Sequence, residues 1–116
     1  MDVVRAGRKK NVRHLQYSVH TDMKPGYVYI MTNKYNTVFY TGVTVPLKQR
    51  VYDHKTGKGS FFTSRYRIHK LVWFDTYPSI RDAIAREKQI KNWKRKWKIE
   101  LIRSLNPEFR DLYDDL

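Results

Sequence analysis

At 116 residues the chain has room for one small domain around a single modest core. Hydrophobic residues at 41% and aromatic residues at 15% suit a folded globule and exclude a wholly disordered chain. A formal charge of +13 points to a polyanionic partner, nucleic acid before anything else, with DNA, RNA and a purely structural RNA-binding role all open on charge alone.

There are no cysteines, which excludes disulfides, thiolate nucleophiles and Cys-ligated zinc, and which fits a reducing cytosol. The histidines His14, His20, His54 and His69 are scattered without metalloprotease spacing, so a His-rich zinc site is not expected. No apolar run approaches the roughly 20 residues of a membrane span, and the N-terminus lacks the apolar core of a signal peptide. The expectation is a cytoplasmic protein without a membrane partner.

Met1–Lys24 carries Arg5, Arg8, Lys9, Lys10 and Arg13 with isolated apolar residues and no sustained period. It reads as a basic arm, ordered weakly if at all, set apart from a folded domain over residues 25–116. Three readings stand for it: an arm that grips nucleic acid, an inert extension, or the product of an upstream start codon. Lys24-Pro25-Gly26 ends it.

The first strand is expected at Tyr27–Thr32, with Tyr27, Tyr29 and Met31 on one face and Val28 and Ile30 on the other. The second is expected at Val38–Val43, with Tyr40 and Gly42 on one face and Phe39 and Val43 opposite. Five intervening residues, Asn33–Thr37, make the pair an antiparallel hairpin. A helix should follow, opened by Thr44 with Pro46 in its first turn. Its spacing puts Leu47, Arg50, Val51 and His54 on one stripe. Arg50 and His54 are odd choices for a packed stripe. Either they line a site or they snorkel at the edge of the core.

Thr56–Ser60 breaks the pattern, and Phe61–Arg67 interleaves rings with Arg65 and Arg67. Such a segment can pack rings on bases while cations meet phosphates, or it can be a loop that plugs the sheet edge. Leu71–Tyr77 should be the third strand, closed by Pro78. Ser79 and Asp82 resemble a capping box that starts a second helix. There Ile80, Ala83, Ile84, Glu87, Ile90 and Lys91 share a stripe, so Glu87 falls among residues that should face the sheet. An uncompensated carboxylate there costs several kcal/mol, on the order of a buried unpaired polar group. Arg50 as an ion-pair partner is the first expectation, a divalent metal the second. Trp93 and Trp97 should anchor the core, with Lys91, Lys94 and Lys98 forming a phosphate-contacting face. The helix should run on through Ile99–Leu105 to Asn106-Pro107. Glu108–Leu116 is expected to fold back on basic surface.

These residues carry a resemblance. Tyr27-Val28-Tyr29, Tyr40-Thr41-Gly42, the spacing of Arg50 and His54, and Glu87 within AIAREKQIKNW resemble the GIY-YIG nuclease superfamily, in particular its small single-domain bacterial members, over roughly Lys24 to Asn106. The resemblance implies an α/β (α+β) sandwich, with a three-stranded antiparallel sheet flanked by helices. It also implies a metal-dependent DNA endonuclease that hydrolyses phosphodiester bonds with one Mg2+ or Mn2+ ion, acting on structured or damaged DNA as in repair. The alternative is a non-catalytic nucleic-acid-binding module that keeps the fold. By the same resemblance Tyr29 is the proposed base or water-positioning group, Tyr40 orients water or phosphate, and Gly42 allows close approach. Arg50 stabilises charge on the phosphoryl oxygens, His54 reaches the attacking water, and Glu87 binds the metal. Val43 stands where some relatives carry lysine. Ile99 stands near an asparagine of repair and restriction members.

Overall fold

The computed structural model describes residues 24–116. The expected basic arm therefore lies, apart from Lys24, outside the described residues.

Three strands, β1 (Gly26–Thr32), β2 (Phe39–Thr44) and β3 (Lys70–Tyr77), form an antiparallel sheet in the order β2-β1-β3. The central position of β1 follows from its composition. Its GYVYIMT run is apolar or aromatic on both faces, and every residue but Tyr27 is buried. One face carries Val28 and Ile30 with Val72, Trp73, Ala83, Ile90 and Ile102. The other carries Tyr29 and Met31 with Leu47, Val51, Ile68, Leu71 and Leu112. The alternation expected in the first two strands is the one observed, although β2 begins and ends one residue later.

Among the described residues four α-helices accompany the sheet: α1 (Leu47–Lys55), α2 (Phe61–Arg65), α3 (Ile80–Lys91) and α4 (Arg95–Leu105). Helix α1 does not start at Thr44. That residue is still paired with Tyr27 in the ladder, so Pro46 takes the capping position without a side-chain cap. Helix α2 corrects the reading of Phe61–Arg67 as loop. The Ser60 hydroxyl accepts the Thr63 amide at 3.1 Å and starts a helical turn. Ser79 caps α3 as expected, accepting the Asp82 amide at 3.3 Å. The long continuous helix does not form. The chain breaks at Asn92, Lys94 is extended, and α4 begins anew at Arg95. Trp93 then packs on the core in the break, whereas Trp97 is 48% exposed and meets Trp93 edge-on at 6.3 Å, so only one of the two is an anchor. Ile80 and Ile84 are likewise exposed, leaving Ala83, Glu87 and Ile90 as the buried stripe of α3.

The C-terminal segment folds back as expected. Asp111 pairs with Lys55 of α1 and accepts the Leu71 amide at 3.1 Å, while Asn106 donates to the Val72 carbonyl at 3.1 Å. No helix among the described residues is long and apolar enough to cross a membrane.

Candidate active site

Two features of the β1/β2 hairpin build the centre of the site. Alternation aims Tyr29 and Tyr40 toward α1, and the register sets Tyr29 directly opposite Gly42. A Cβ at position 42 would lie 2.8 Å from Tyr29 Cε1 and closer still to the phenol tip. Glycine is thus required for the ring to lie flat across the neighbouring strand, a role of close approach rather than of backbone angle.

Helix α1 brings His54 to the same point. The Tyr29 hydroxyl is 3.0 Å from His54 Nε2, and both residues are buried. Tyr40 packs against the pair, with ring centroids 6.2 Å from Tyr29 and 5.2 Å from His54. Arg50, one turn before His54 on the α1 stripe, is half-buried and its positive charge acts on both the Tyr29 phenol and the His54 imidazole. Four of the five expected site residues therefore converge.

The electrostatics define their protonation. Burial pushes the Tyr29 phenol well above the usual tyrosine range, with Tyr40 adding to the rise and Arg50 opposing part of it. Burial also holds the His54 imidazole below its usual value, helped by Arg50 and opposed by Asp53. At neutral pH the pair is a protonated phenol and a neutral imidazole, and the tautomer of the ring decides which of the two donates.

A third group supports the histidine and was not singled out from sequence. His54 Nδ1 is 3.0 Å from Thr63 Oγ1, and Thr63 Oγ1 in turn donates to the Ser60 carbonyl at 3.2 Å. Gly59 passes so close to the imidazole that a Cβ there would fall 2.6 Å from Cε1. The signal for these residues was the Ser60-x-x-Thr63 spacing of a capped turn, hidden because the preceding Thr56–Ser60 stretch reads as a mere break.

Glu87 is buried at 8% exposure on α3, as its place on the stripe required. Its partner is not Arg50. Lys91, one turn on, reaches its Oε2 at 2.8 Å. The i, i+4 pair wins because it needs no crossing between elements, whereas Arg50 stands on α1. No hydrogen bond or ion pair joins Glu87 to Tyr29, Tyr40, Arg50 or His54. Its buried neighbours on the stripe, Ala83 and Ile90, belong to the cluster on the Val28/Ile30 face. Among the described residues no group of three or more His, Cys, Asp or Glu side chains could hold a metal.

The expected nucleic-acid contacts fall in two patches. Arg65 is exposed and lies over the Tyr66 ring at 5.7 Å. Arg67 is exposed in a left-handed backbone conformation, φ 54°. Phe62 links this patch to the site, 6.2 Å from Tyr40 and 4.9 Å from Tyr66. On the other side Lys91, Lys94 and Lys98 surround the start of α4, where burial, Arg95 and Lys91 together hold Lys98 below the usual lysine value.

The family model for the GIY-YIG catalytic domain matches residues 25–100. The chain is 39% identical to the UPF0213 protein of Syntrophus aciditrophicus over 87 residues, 74% of this chain and 98% of that protein. It is 36% identical to the UPF0213 protein of Staphylococcus haemolyticus over 80 residues, 69% of this chain and 96% of that one. The solution NMR structure of the UPF0213 protein of Bacillus halodurans covers 75% of this chain and 92% of its own at 29% identity, with a TM-score of 0.49. On the extent of the family match, residues 25–100, this chain belongs to the GIY-YIG family of nucleases.

Proposed function

We propose that the chain is a metal-dependent endonuclease that hydrolyses phosphodiester bonds in DNA, with structured or damaged duplex as its target and a place in DNA repair. The observation that carries this reading is the buried bond from the Tyr29 hydroxyl to His54 Nε2 with Arg50 beside it. A phenol held above its usual pKa is a poor base by itself. Coupled to a neutral imidazole it becomes competent: Tyr29 takes a proton from the attacking water as it passes its own to Nε2. The hydroxide oxygen bonds to phosphorus, the bond to the leaving oxygen breaks, and that oxygen is protonated from solvent. Arg50 offers a forked donor to the phosphoryl oxygens as charge grows on them. Tyr40, packed on both members of the pair, orients water or phosphate.

Glu87 fits a hard divalent ion such as Mg2+ or Mn2+ and does not fit zinc. A lone carboxylate with water and phosphate oxygens completing the shell suits magnesium, whereas zinc would need further His, Cys or carboxylate donors. An ion held by Glu87 would supply Lewis-acid stabilisation to a phosphoryl oxygen that reached α3. Lys91 occupies Oε2 and would have to yield.

The test is cleavage of assorted DNA structures with and without magnesium or manganese, wild type against Glu87→Gln. Undiminished cleavage by the variant, or cleavage without metal, rules the reading out. The second reading, a non-catalytic DNA- or RNA-binding module, draws on one observation: Glu87 is already satisfied by Lys91. It predicts salt-sensitive binding and no product.

A further inference from the structure

We infer that Thr63 is a positioning residue: its hydroxyl, held in turn by Ser60, sets the tautomer of His54 so that Nε2 is the free acceptor facing Tyr29. This rests on the nuclease reading for its consequence in the reaction, but the tautomer itself can be read in the resting protein.

The inference follows from counting hydrogens. Thr63 has one hydroxyl proton, and the Ser60 carbonyl, at 3.2 Å from Oγ1, can only accept it. With that proton committed, Oγ1 presents lone pairs to His54 Nδ1 at 3.0 Å, so Nδ1 must carry the ring proton. The neutral imidazole has only one, which leaves Nε2 bare, 3.0 Å from the Tyr29 hydroxyl. The Ser60 hydroxyl reinforces the arrangement. It accepts the Thr63 amide and lies 2.9 Å from Thr63 Oγ1, where it donates its own proton to the lone pair left over.

The reverse assignment keeps fewer of these bonds. With the proton on Nε2, Nδ1 would need a donor, and Thr63 would have to abandon the Ser60 carbonyl to supply one. Tyr29 would then accept from the imidazole instead of donating and would turn its own proton toward Tyr40, which breaks the proton path from phenol to imidazole. Thr63 is fully buried, so water does not offer Nδ1 a substitute. Packing preserves the alignment: Gly59 leaves no space for the ring to swing toward the loop. The charged and titratable groups facing the ring are Tyr29 from β1, Tyr40 from β2, and Arg50 and Asp53 from its own helix. No carboxylate contacts Nδ1, so the orienting task falls to a neutral hydroxyl.

The experiment is nitrogen-15 NMR of the histidine ring in the full chain, with His54→Gln to identify the signal, on the wild type, Thr63→Val and Thr63→Ser. The wild type and Thr63→Ser should show a protonated Nδ1 and an unprotonated Nε2. Thr63→Val, matched in shape, should shift the population toward a protonated Nε2. In cleavage assays kcat of Thr63→Val should fall about tenfold to a hundredfold, with KM within about twofold and the low-pH limb displaced, and serine should restore all three. A protonated Nε2 in the wild type overturns the inference without any variant. So does a valine variant with an unchanged tautomer and pH profile. If no DNA is cut yet the tautomers behave as described, the positioning stands and the nuclease reading falls.

Discussion

Tyr29 and Gly42 face each other across neighbouring strands, and the phenol of Tyr29 fills the volume that a side chain at position 42 would need. Through that one missing methyl group the second strand controls where the hydroxyl of the first is held. Gly42→Ala should displace the ring, lower stability by about 1–3 kcal/mol as an overpacked core does, and reduce cleavage more than that loss of folded protein explains. Thermal unfolding and rates at a temperature where both proteins are folded separate the two effects. A fully active Gly42→Ala would show that ring placement is unimportant.

The His54 imidazole, held below its unfolded value, has a definite signature in stability. As pH falls below about 6.5, the unfolded chain takes up a proton that the folded state still refuses. The stability contributed by neutral His54 is therefore complete above that pH and is lost as pH drops toward the depressed folded value. Denaturant titrations from pH 7 to 5 should show a steeper decline for the wild type than for His54→Gln. Parallel curves would mean that burial does not depress this histidine.

Glu87 and Lys91 form an i, i+4 pair that leaves Lys91 half exposed. Because the carboxylate is buried and Lys91 compensates it, Lys91→Ala should lower stability by about 1–3 kcal/mol, more than an exposed pair would lose. Freed of its competitor, the carboxylate should need less manganese for half-maximal cleavage, whereas Glu87→Gln should cost roughly a hundredfold in rate, near 3 kcal/mol of barrier. Measuring rate against metal concentration decides it. An unchanged half-saturating concentration in Lys91→Ala would place the ion elsewhere.

The rings of α2 and the cations beside them should act on nucleic acid by different physics. Phe62, packed between the tilted rings of Tyr40 and Tyr66, should cost about 1–3 kcal/mol of binding when changed to alanine, with the salt dependence unaltered. Changing Arg65 and Arg67 together should instead flatten the salt dependence by roughly one to two counterions. Equilibrium binding across a salt series distinguishes them, and identical slopes for all proteins would exclude phosphate contact by either arginine.

The elements and most of the site were legible because both rest on local periodicity. Alternation along Tyr27–Thr32 placed Tyr29 and Met31 on one face, and a helical stripe put His54 beside Leu47 and Val51, which is where they lie. Short-range competition was harder to read. Ser60 looked like part of a break, yet its hydroxyl starts a helix; Asn92 and Lys94 looked helical, yet the chain turns there. Capping and breaking are settled by one or two hydrogen bonds worth about 1 kcal/mol each, too little for a pattern of apolar residues to reveal.

What the amino-acid order determined unaided is which groups face inward: two phenols, a guanidinium, an imidazole and a carboxylate, on strands and helices whose periods leave them no other side. What only the tertiary structure decided is who partners whom. Glu87 went to Lys91 rather than Arg50, and His54 found Thr63 as well as Tyr29. Periodicity sets direction within one element, but partnership depends on distances between elements, and those are fixed by the packing of the whole sheet and its helices.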